Sequence, residues 1–150
     1  MGYEIRAAEP DEERRVIPLY EWLFAPPGSK PPSWDERRAA VALRQAIDSH
    51  DSVVIVAEDD SGEFVGFCTG YQDMHSVRFG YRAWVEDLAV HPERRSEGIG
   101  KGLLDAAKAW GRERGATHLE LDSAETRADA HRFYEREKPS WRSISFGWEL

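Results

Sequence analysis

Cysteine is almost missing from this chain of 150 residues: Cys68 is the only one, so no internal disulfide staples the fold and a small disulfide-framed secreted module is excluded. Cys68 lies in the apolar run Phe64 to Tyr71, where a small buried hydrophobe in a reducing compartment is expected, and no basic residue stands close in sequence to activate the thiol. No window approaches the ~18 apolar residues of a membrane span. The opening Met1-Gly2-Tyr3-Glu4-Ile5-Arg6 lacks the apolar run of a signal peptide, and Arg6 stands where a myristoylation motif needs Ser or Thr. A cytoplasmic protein without a membrane partner is predicted. Net positive charge is missing too: 28 acidic against 20 basic residues leave −8, with a pI near 5.2. Affinity for nucleic acid rests mostly on neutralising phosphates, so neither DNA nor RNA is the expected partner, and a cationic or neutral substrate is favoured. His50, His75, His91, His118 and His131 show no metal-ligand spacing, so no metal site is predicted. There is no G-x-S-x-G nucleophile turn, and Ser123 has no recognisable base.

What is present suits one domain over residues 1–150 with one core, 41% of the residues being hydrophobic. Tyr3 to Ala7 alternates as a strand. After Asp11 a helical stretch carries Val16, Leu19, Tyr20 and Leu23 on one face and ends at Pro26. The run Pro26 to Pro32 cannot sustain regular hydrogen bonding and reads either as a linker or as a lid over a substrate. Ser33 is expected to cap a second helix, Trp34 to about Ile47, with Glu36 completing a capping box. Period-two patterning then gives a hairpin, Val53 to Ala57 and Phe64 to Tyr71, around the turn Asp59 to Gly62. A further antiparallel strand spans about Ala83 to Val90. The next helix turns Ile99, Leu103, Ala107 and Trp110 toward the sheet and stops at Gly115. A strand, His118 to Asp122, follows; strand, helix and strand in that order place it parallel to, and beside, the strand ending at Val90. A helix, about Ala128 to Glu137, and a last strand, about Ser143 to Leu150, complete an α+β (α/β) fold on a mixed, mostly antiparallel sheet with about four flanking helices.

The most informative stretch is Arg94-Arg95-Ser96-Glu97-Gly98-Ile99-Gly100-Lys101-Gly102, between a strand and a helix. Glycines at a helix start let the backbone approach an anion, and the unpaired N–H groups of the first turn point at it. Arg94, Arg95 and Lys101 put positive charge there in an otherwise acidic chain. The triphosphate loop G-x-x-x-x-G-K-[ST] fails, since Gly102 follows Lys101 and Arg95 replaces the first glycine. A dinucleotide site, with Glu120 or Asp122 on a ribose, is disfavoured by the glycine spacing, by the length of His91 to Glu97 and by the little chain left for a substrate domain.

Leu88 to Leu104 closely resembles the acetyl-coenzyme-A signature of the GNAT superfamily of N-acetyltransferases, whose core R-x-x-G-x-G is met by Arg95, Gly98 and Gly100. The order of elements and a downstream Phe133-Tyr134-Glu135 extend the resemblance over nearly the whole chain. It implies that the amides of Gly98, Ile99, Gly100, Lys101 and Gly102, with Arg95, Ser96 and Glu97, hold the pyrophosphate. It also implies that the backbone of Leu88, Ala89 and Val90 pairs with the pantetheine arm, so that two central parallel strands splay apart, as in the GNAT-like fold. The amide of Ala89 or Val90 would polarise the acetyl oxygen. Glu86, expected on the strand face of Leu88, resembles the family's general base, with Asp87 as a second carboxylate. Tyr134 occupies its general-acid position. A phenol of pKa ~10 protonates a thiolate whose conjugate acid lies near ~8.5 only uphill, so a hydrogen bond to the developing thiolate is the better description. Two positions depart from the family: Arg127 replaces an Asn, and Lys138-Pro139 stand where a Gly and an aromatic are usual, with Trp141 as the nearest aromatic.

The implied activity is direct acetyl transfer from acetyl-CoA to a small-molecule amine in a ternary complex. The alternatives are a protein or peptide N-acetyltransferase and a non-catalytic acyl-CoA-binding module. The aromatic-rich loop Met74 to Tyr81 admits three readings: a wall of the acceptor pocket, a contact in a homodimer, or a plain exposed loop.

Overall fold

The computed structural model describes residues 2–150. Strand β1 (Tyr3–Ala7) leads into two single-turn helices, α1 (Glu13–Val16) and α2 (Glu21–Phe24), joined by a 3-10 turn over Ile17–Tyr20. The long first helix expected from periodicity is thus broken. Pro18 has no N–H to give to the helical ladder, and the chain tightens around it. Helix α3 (Glu36–Asp48) is capped by Asp35 rather than Ser33, its carboxylate accepting the Arg38 N–H at 3.0 Å. Trp34 lies outside the helix and packs on Tyr20 and Phe24 at ring distances of 5.5 and 4.8 Å. Burial of that indole outweighs the capping box suggested by Ser33 and Glu36.

Strands β2 (Ser52–Asp59), β3 (Phe64–Gln72) and β4 (Arg82–Val90) form a meander; helix α4 (Ile99–Glu113), strand β5 (His118–Leu121) and helix α5 (Ala128–Arg136) follow. The sheet has five strands in the order β1-β2-β3-β4-β5, antiparallel except for β4 with β5. The α+β class, the mixed sheet and the four helical arms (α1–α2 as one broken arm, α3, α4, α5) follow the sequence pattern. One element does not: Ser143 to Leu150 forms no strand, so the parallel pair closes one end of the sheet instead of lying inside it. The residues alternate as a strand should, but Lys138 takes a left-handed turn (φ 55) and Pro139 follows, and no described strand pairs with the segment.

Alternation along β2 and β3 divides two cores. Ile55, Ala57, Val65 and Cys68 meet Ile99, Leu103, Leu104 and Ala107 of α4. On the opposite face, Val54, Val56 and Phe67 meet Val16 and Leu43. The α4 stripe Ile99, Leu103, Ala107 and Trp110 is buried throughout, as its spacing requires. Gly66 sets how closely α4 lies on the sheet, because a Cβ there would stand 2.8 Å from Ile99 and 3.0 Å from Leu103. Among the described residues no helix is long and apolar enough to cross a membrane.

An ion-pair cluster ties β1 to the helical layer. The Arg6 guanidinium reaches Glu12 at 2.7 Å and Glu58 at 3.3 Å, and Arg15 meets the same two carboxylates. Chiefly through the hydrogen bond from Arg6, the Glu12 carboxyl is held down from 4.5 to about 2. A folded pKa below the unfolded one stabilises above the unfolded value, and that contribution is lost as pH falls through the folded one. Glu12→Gln should therefore lower Tm at neutral pH and flatten the acid decline between pH 4.5 and about 2; melts across that window check it.

Candidate active site

The parallel seam between β4 and β5 is short. Arg82, Ala83, Trp84 and Val85 pair with His118, Leu119, Glu120 and Leu121, and the ladder ends there. Strand β4 continues through Glu86 to Val90 with β3 on one side, Leu88, Ala89 and Val90 facing Cys68, Phe67 and Gly66. On its other side no described strand pairs with that stretch. Past Val85 and Leu121 the two strands thus part, leaving one edge of Leu88 to Val90 free to take an extended ligand.

The register of β4 against β3 slips where the strands part. Asp87 lies opposite Thr69 but Val85 lies opposite Gly70, so Glu86 is the extra residue of a β-bulge. The consequence corrects a sequence expectation. Val85 and Leu88 both pack toward α4 although three residues apart, so Glu86 does not share the face of Leu88 by simple alternation. Glu86 and Asp87 instead open together into a cleft of about 330 Å³, which is walled by Tyr20 and Phe24 on one side and by Asp122, Arg127 and Tyr134 on the other.

The cleft is acidic, and its two strand carboxylates differ in their partners. Asp87 accepts the Tyr20 hydroxyl at 2.7 Å and the Thr69 hydroxyl at 3.2 Å. Burial nevertheless pushes the Asp87 carboxyl above its ordinary value, the two hydroxyls opposing the shift. Burial likewise pushes the Tyr20 phenol up, with the Asp87 charge adding to it. The Glu86 carboxyl is raised by burial first and then by Asp87 and Asp122. Tyr134 projects from α5 beside Phe133, ring centres 5.1 Å apart, and burial pushes its phenol up to about 12. Tyr20 and Thr69 were not legible as site residues, and Asp122 stood out only as a ribose ligand of the disfavoured dinucleotide site: Tyr20 reads in sequence as one more apolar position of a helix, and only the bulge brings Asp87 to it. Arg127, the departure at the start of α5, donates to the Leu23 carbonyl at 3.0 Å. It bridges the cleft to the end of α2, a tie that an Asn is too short to make.

At the other end of the free edge, Gly98 takes a left-handed conformation (φ 83) as the cap of α4. The first bond of the helix runs from the Gly102 N–H to the Gly98 carbonyl, so the amides of Ile99, Gly100 and Lys101 precede the ladder. Tyr3 fastens the turn by donating to the Glu97 carbonyl at 3.3 Å. The basic side chains are less available than their number suggests. Arg94 is taken by Asp59 and Glu97, and Lys101 pairs with Asp105 and Glu137. Arg95 is exposed and forms no ion pair among the described residues. Open amides, an unpaired arginine and an unpaired strand edge fit a diphosphate carrying a long amide arm, and a Cβ on Gly98 would intrude on that turn, meeting Tyr3 Oη at 3.3 Å.

A model of the acetyltransferase (GNAT) family matches residues 16–137. The chain belongs to this family. A GNAT relative, an uncharacterised N-acetyltransferase of Bacillus subtilis, is 34% identical over 134 residues, covering 88% of this chain and 86% of that protein. The aminoalkylphosphonate N-acetyltransferase of Salmonella typhimurium is 36% identical over 77 residues, 51% of this chain and 50% of that one. Among solved structures, the aminoglycoside N-acetyltransferase AAC(6')-Iy in complex with CoA superposes with a TM-score of 0.84 at 15% identity, over 99% of this chain and 95% of that one. That likeness shows the shared GNAT fold. Family match and relatives together make this GNAT chain an N-acetyltransferase.

Proposed function

We propose that the protein, acting as one domain, transfers the acetyl group of acetyl-CoA directly to a small cationic amine, both substrates being held in the gap between β4 and β5. The observation that carries this reading is the free edge of β4 along Leu88 to Val90, which leads from the cleft that holds two carboxylates and the Tyr134 phenol toward the open amides of Ile99, Gly100 and Lys101. The amides of Gly98, Ile99, Gly100 and Lys101, with Arg95 and the turn Ser96-Glu97, grip the diphosphate, while the Gly102 N–H closes the first helical bond behind them. The backbone of Leu88, Ala89 and Val90 pairs with the pantetheine arm, and an amide at Ala89 or Val90 polarises the acyl oxygen. When bound, acetyl-CoA supplies an activated thioester. The relatives support a small acceptor, since one bears the name of an aminoalkylphosphonate N-acetyltransferase and a structural neighbour that of an aminoglycoside N-acetyltransferase.

An alkylamine of pKa ~10 must lose a proton before it can attack. Glu86 takes that proton. Asp87, at hydrogen-bond distance of the Tyr20 and Thr69 hydroxyls, holds the cleft acidic and raises the basicity of Glu86. A raised carboxyl is protonated, and lost as a base, at a higher pH than an ordinary one, so the acid limb of kcat should lie above 4.5. The Tyr134 phenol, near 12, leaves the neutral range untouched. Glu86→Gln should lower kcat by about 10²-fold and remove that limb, as expected for loss of a general base; an unchanged profile would pass the role to water.

A thiol-release assay over diamines, aminoglycosides, amino acids and peptides tests the reading as a whole. Turnover with small cationic amines supports it. Turnover with peptides alone overturns the small-molecule acceptor, and saturable acetyl-CoA binding without thiol release from any amine overturns catalysis.

A further inference from the structure

Between β4 and α4 the chain makes a turn that its own residues do not favour. Ser96 lies in the left-handed region (φ 67), just before Gly98 (φ 83). A residue with a Cβ is uncommon there and persists only where its surroundings force it. Two ties from outside the turn do so, and both start at strand ends, Tyr3 of β1 lying opposite Asp59 of β2. Tyr3 donates to the Glu97 carbonyl at 3.3 Å. Asp59 acts through a second side chain: its Oδ2 accepts Arg94 Nη1 at 3.2 Å, and Arg94 Nε donates to both Glu97 carboxylate oxygens at 3.0 Å. Arg94 and Glu97 thus straddle Ser96. The other oxygen of Asp59, Oδ1, accepts the Ser61 and Glu63 amides and the Ser61 hydroxyl, which fixes the β2–β3 turn and with it the direction of Oδ2. The Asp59 side chain is only 7% exposed. Arg94 Nη2 is buried and has no partner among the described residues, so the guanidinium is turned into the protein.

We propose that Asp59 is a positioning residue for acetyl-CoA: through Arg94 and Glu97 it holds Ser96 left-handed and keeps the Ile99, Gly100 and Lys101 amides aimed at the diphosphate. This rests on the functional reading above, in which those amides grip that group. It gives Arg94 a role opposite to the one its charge suggests. A phosphate ligand held back by Asp59 would bind CoA more tightly once freed. A strut, once freed, loosens the turn: Ser96 relaxes to negative φ, the peptides that follow rotate with it, and binding weakens.

Calorimetric titration with CoA, read without acetyl transfer, tests the proposal. Asp59→Asn keeps a carbonyl oxygen for the hairpin turn but sets an amide N–H against the Arg94 guanidinium. It should weaken CoA binding by at least about fivefold, with kcat at saturating acetyl-CoA within about twofold of wild type. Glycine enters positive φ without strain, so in a Ser96→Gly background the same substitution should cost at most about twofold. Ser61→Ala, which removes only an Oδ1 contact, should bind CoA as the wild type does. If Asp59→Asn does not fold, Glu97→Ala breaks the strut at its other end and carries the same expectations. Tighter binding, a loss below about fivefold, or a loss that persists in the Ser96→Gly background would overturn the strut and leave the functional reading standing. A wild-type chain that does not bind CoA would overturn both.

Discussion

Tyr134→Phe should lower kcat by about two to three orders of magnitude, the cost of removing one donor from a developing anion, while leaving the KM for acetyl-CoA within about threefold. The substitution deletes one oxygen and keeps the ring, so the contact with Phe133 at 5.1 Å and the packing of α5 survive. What disappears is the O–H of a side chain that lines the cleft and whose burial holds the phenol near 12. That value also decides how the hydroxyl works. Full transfer of its proton to a thiolate whose conjugate acid lies near ~8.5 runs uphill by about three and a half pKa units, roughly 5 kcal/mol. The undisturbed phenol considered from sequence alone makes that transfer look easier than the folded protein does. Tyr134 is thus suited to donate a hydrogen bond while charge develops on sulfur, and to let water complete the protonation. The split between kcat and KM is the decisive readout. An equal loss in both directions would make Tyr134 a binding residue, and an unchanged kcat would remove it from the reaction.

The elements that were legible in the sequence are those governed by short-range periodicity. The α4 stripe, the β2–β3 hairpin and the crossover that sets β4 beside β5 each follow from apolar spacing and turn residues. The failures are places where one distant contact outweighed a local signal. Trp34 left its helix to reach Tyr20 and Phe24, so the cap moved to Asp35. Pro18, sitting inside an otherwise regular apolar pattern, was enough to divide the first helix. The site shows the same contrast. Its glycine turn could be located because glycine and a helix start are local features, whereas the bulge at Glu86 depends on how β3 registers against β4, and alternation alone put that carboxylate on the face of Leu88. The availability of charge is also a tertiary property: Arg94 and Lys101 look like phosphate ligands in sequence, but Asp59 and Glu137, 35 and 36 residues away respectively, partly neutralise them. Among the described residues, Arg95 alone of the three has no ion-pair partner.

Gly98→Val should weaken CoA binding by at least about 100-fold, which corresponds to ~2.7 kcal/mol. Gly98 holds φ at 83, a region that a β-branched residue enters only as an outlier. Its new Cβ would also lie 3.3 Å from Tyr3 Oη, the hydroxyl that fastens the turn through the Glu97 carbonyl. The turn must shift, and the amides of Ile99 and Gly100 shift with it. Each hydrogen bond to a charged phosphate is worth about 1.5–3 kcal/mol, so losing two accounts for the predicted effect. Backbone strain alone can be separated from this cause because the fold supplies its own control. Gly115, at the far end of the same helix, has nearly the same φ of 80 and nothing within 4 Å of a Cβ. Gly115→Val should therefore lower Tm by a comparable amount while CoA affinity, measured by calorimetry, stays at the wild-type value. Equal losses of affinity in the two variants would mean that strain spread along α4, and not the placement of its first amides, governs binding. An unaltered affinity in Gly98→Val would remove the glycine turn from the site, while Gly100→Ala, whose Cβ meets Phe133 at an ordinary 3.5 Å, should remain folded whichever way the comparison falls.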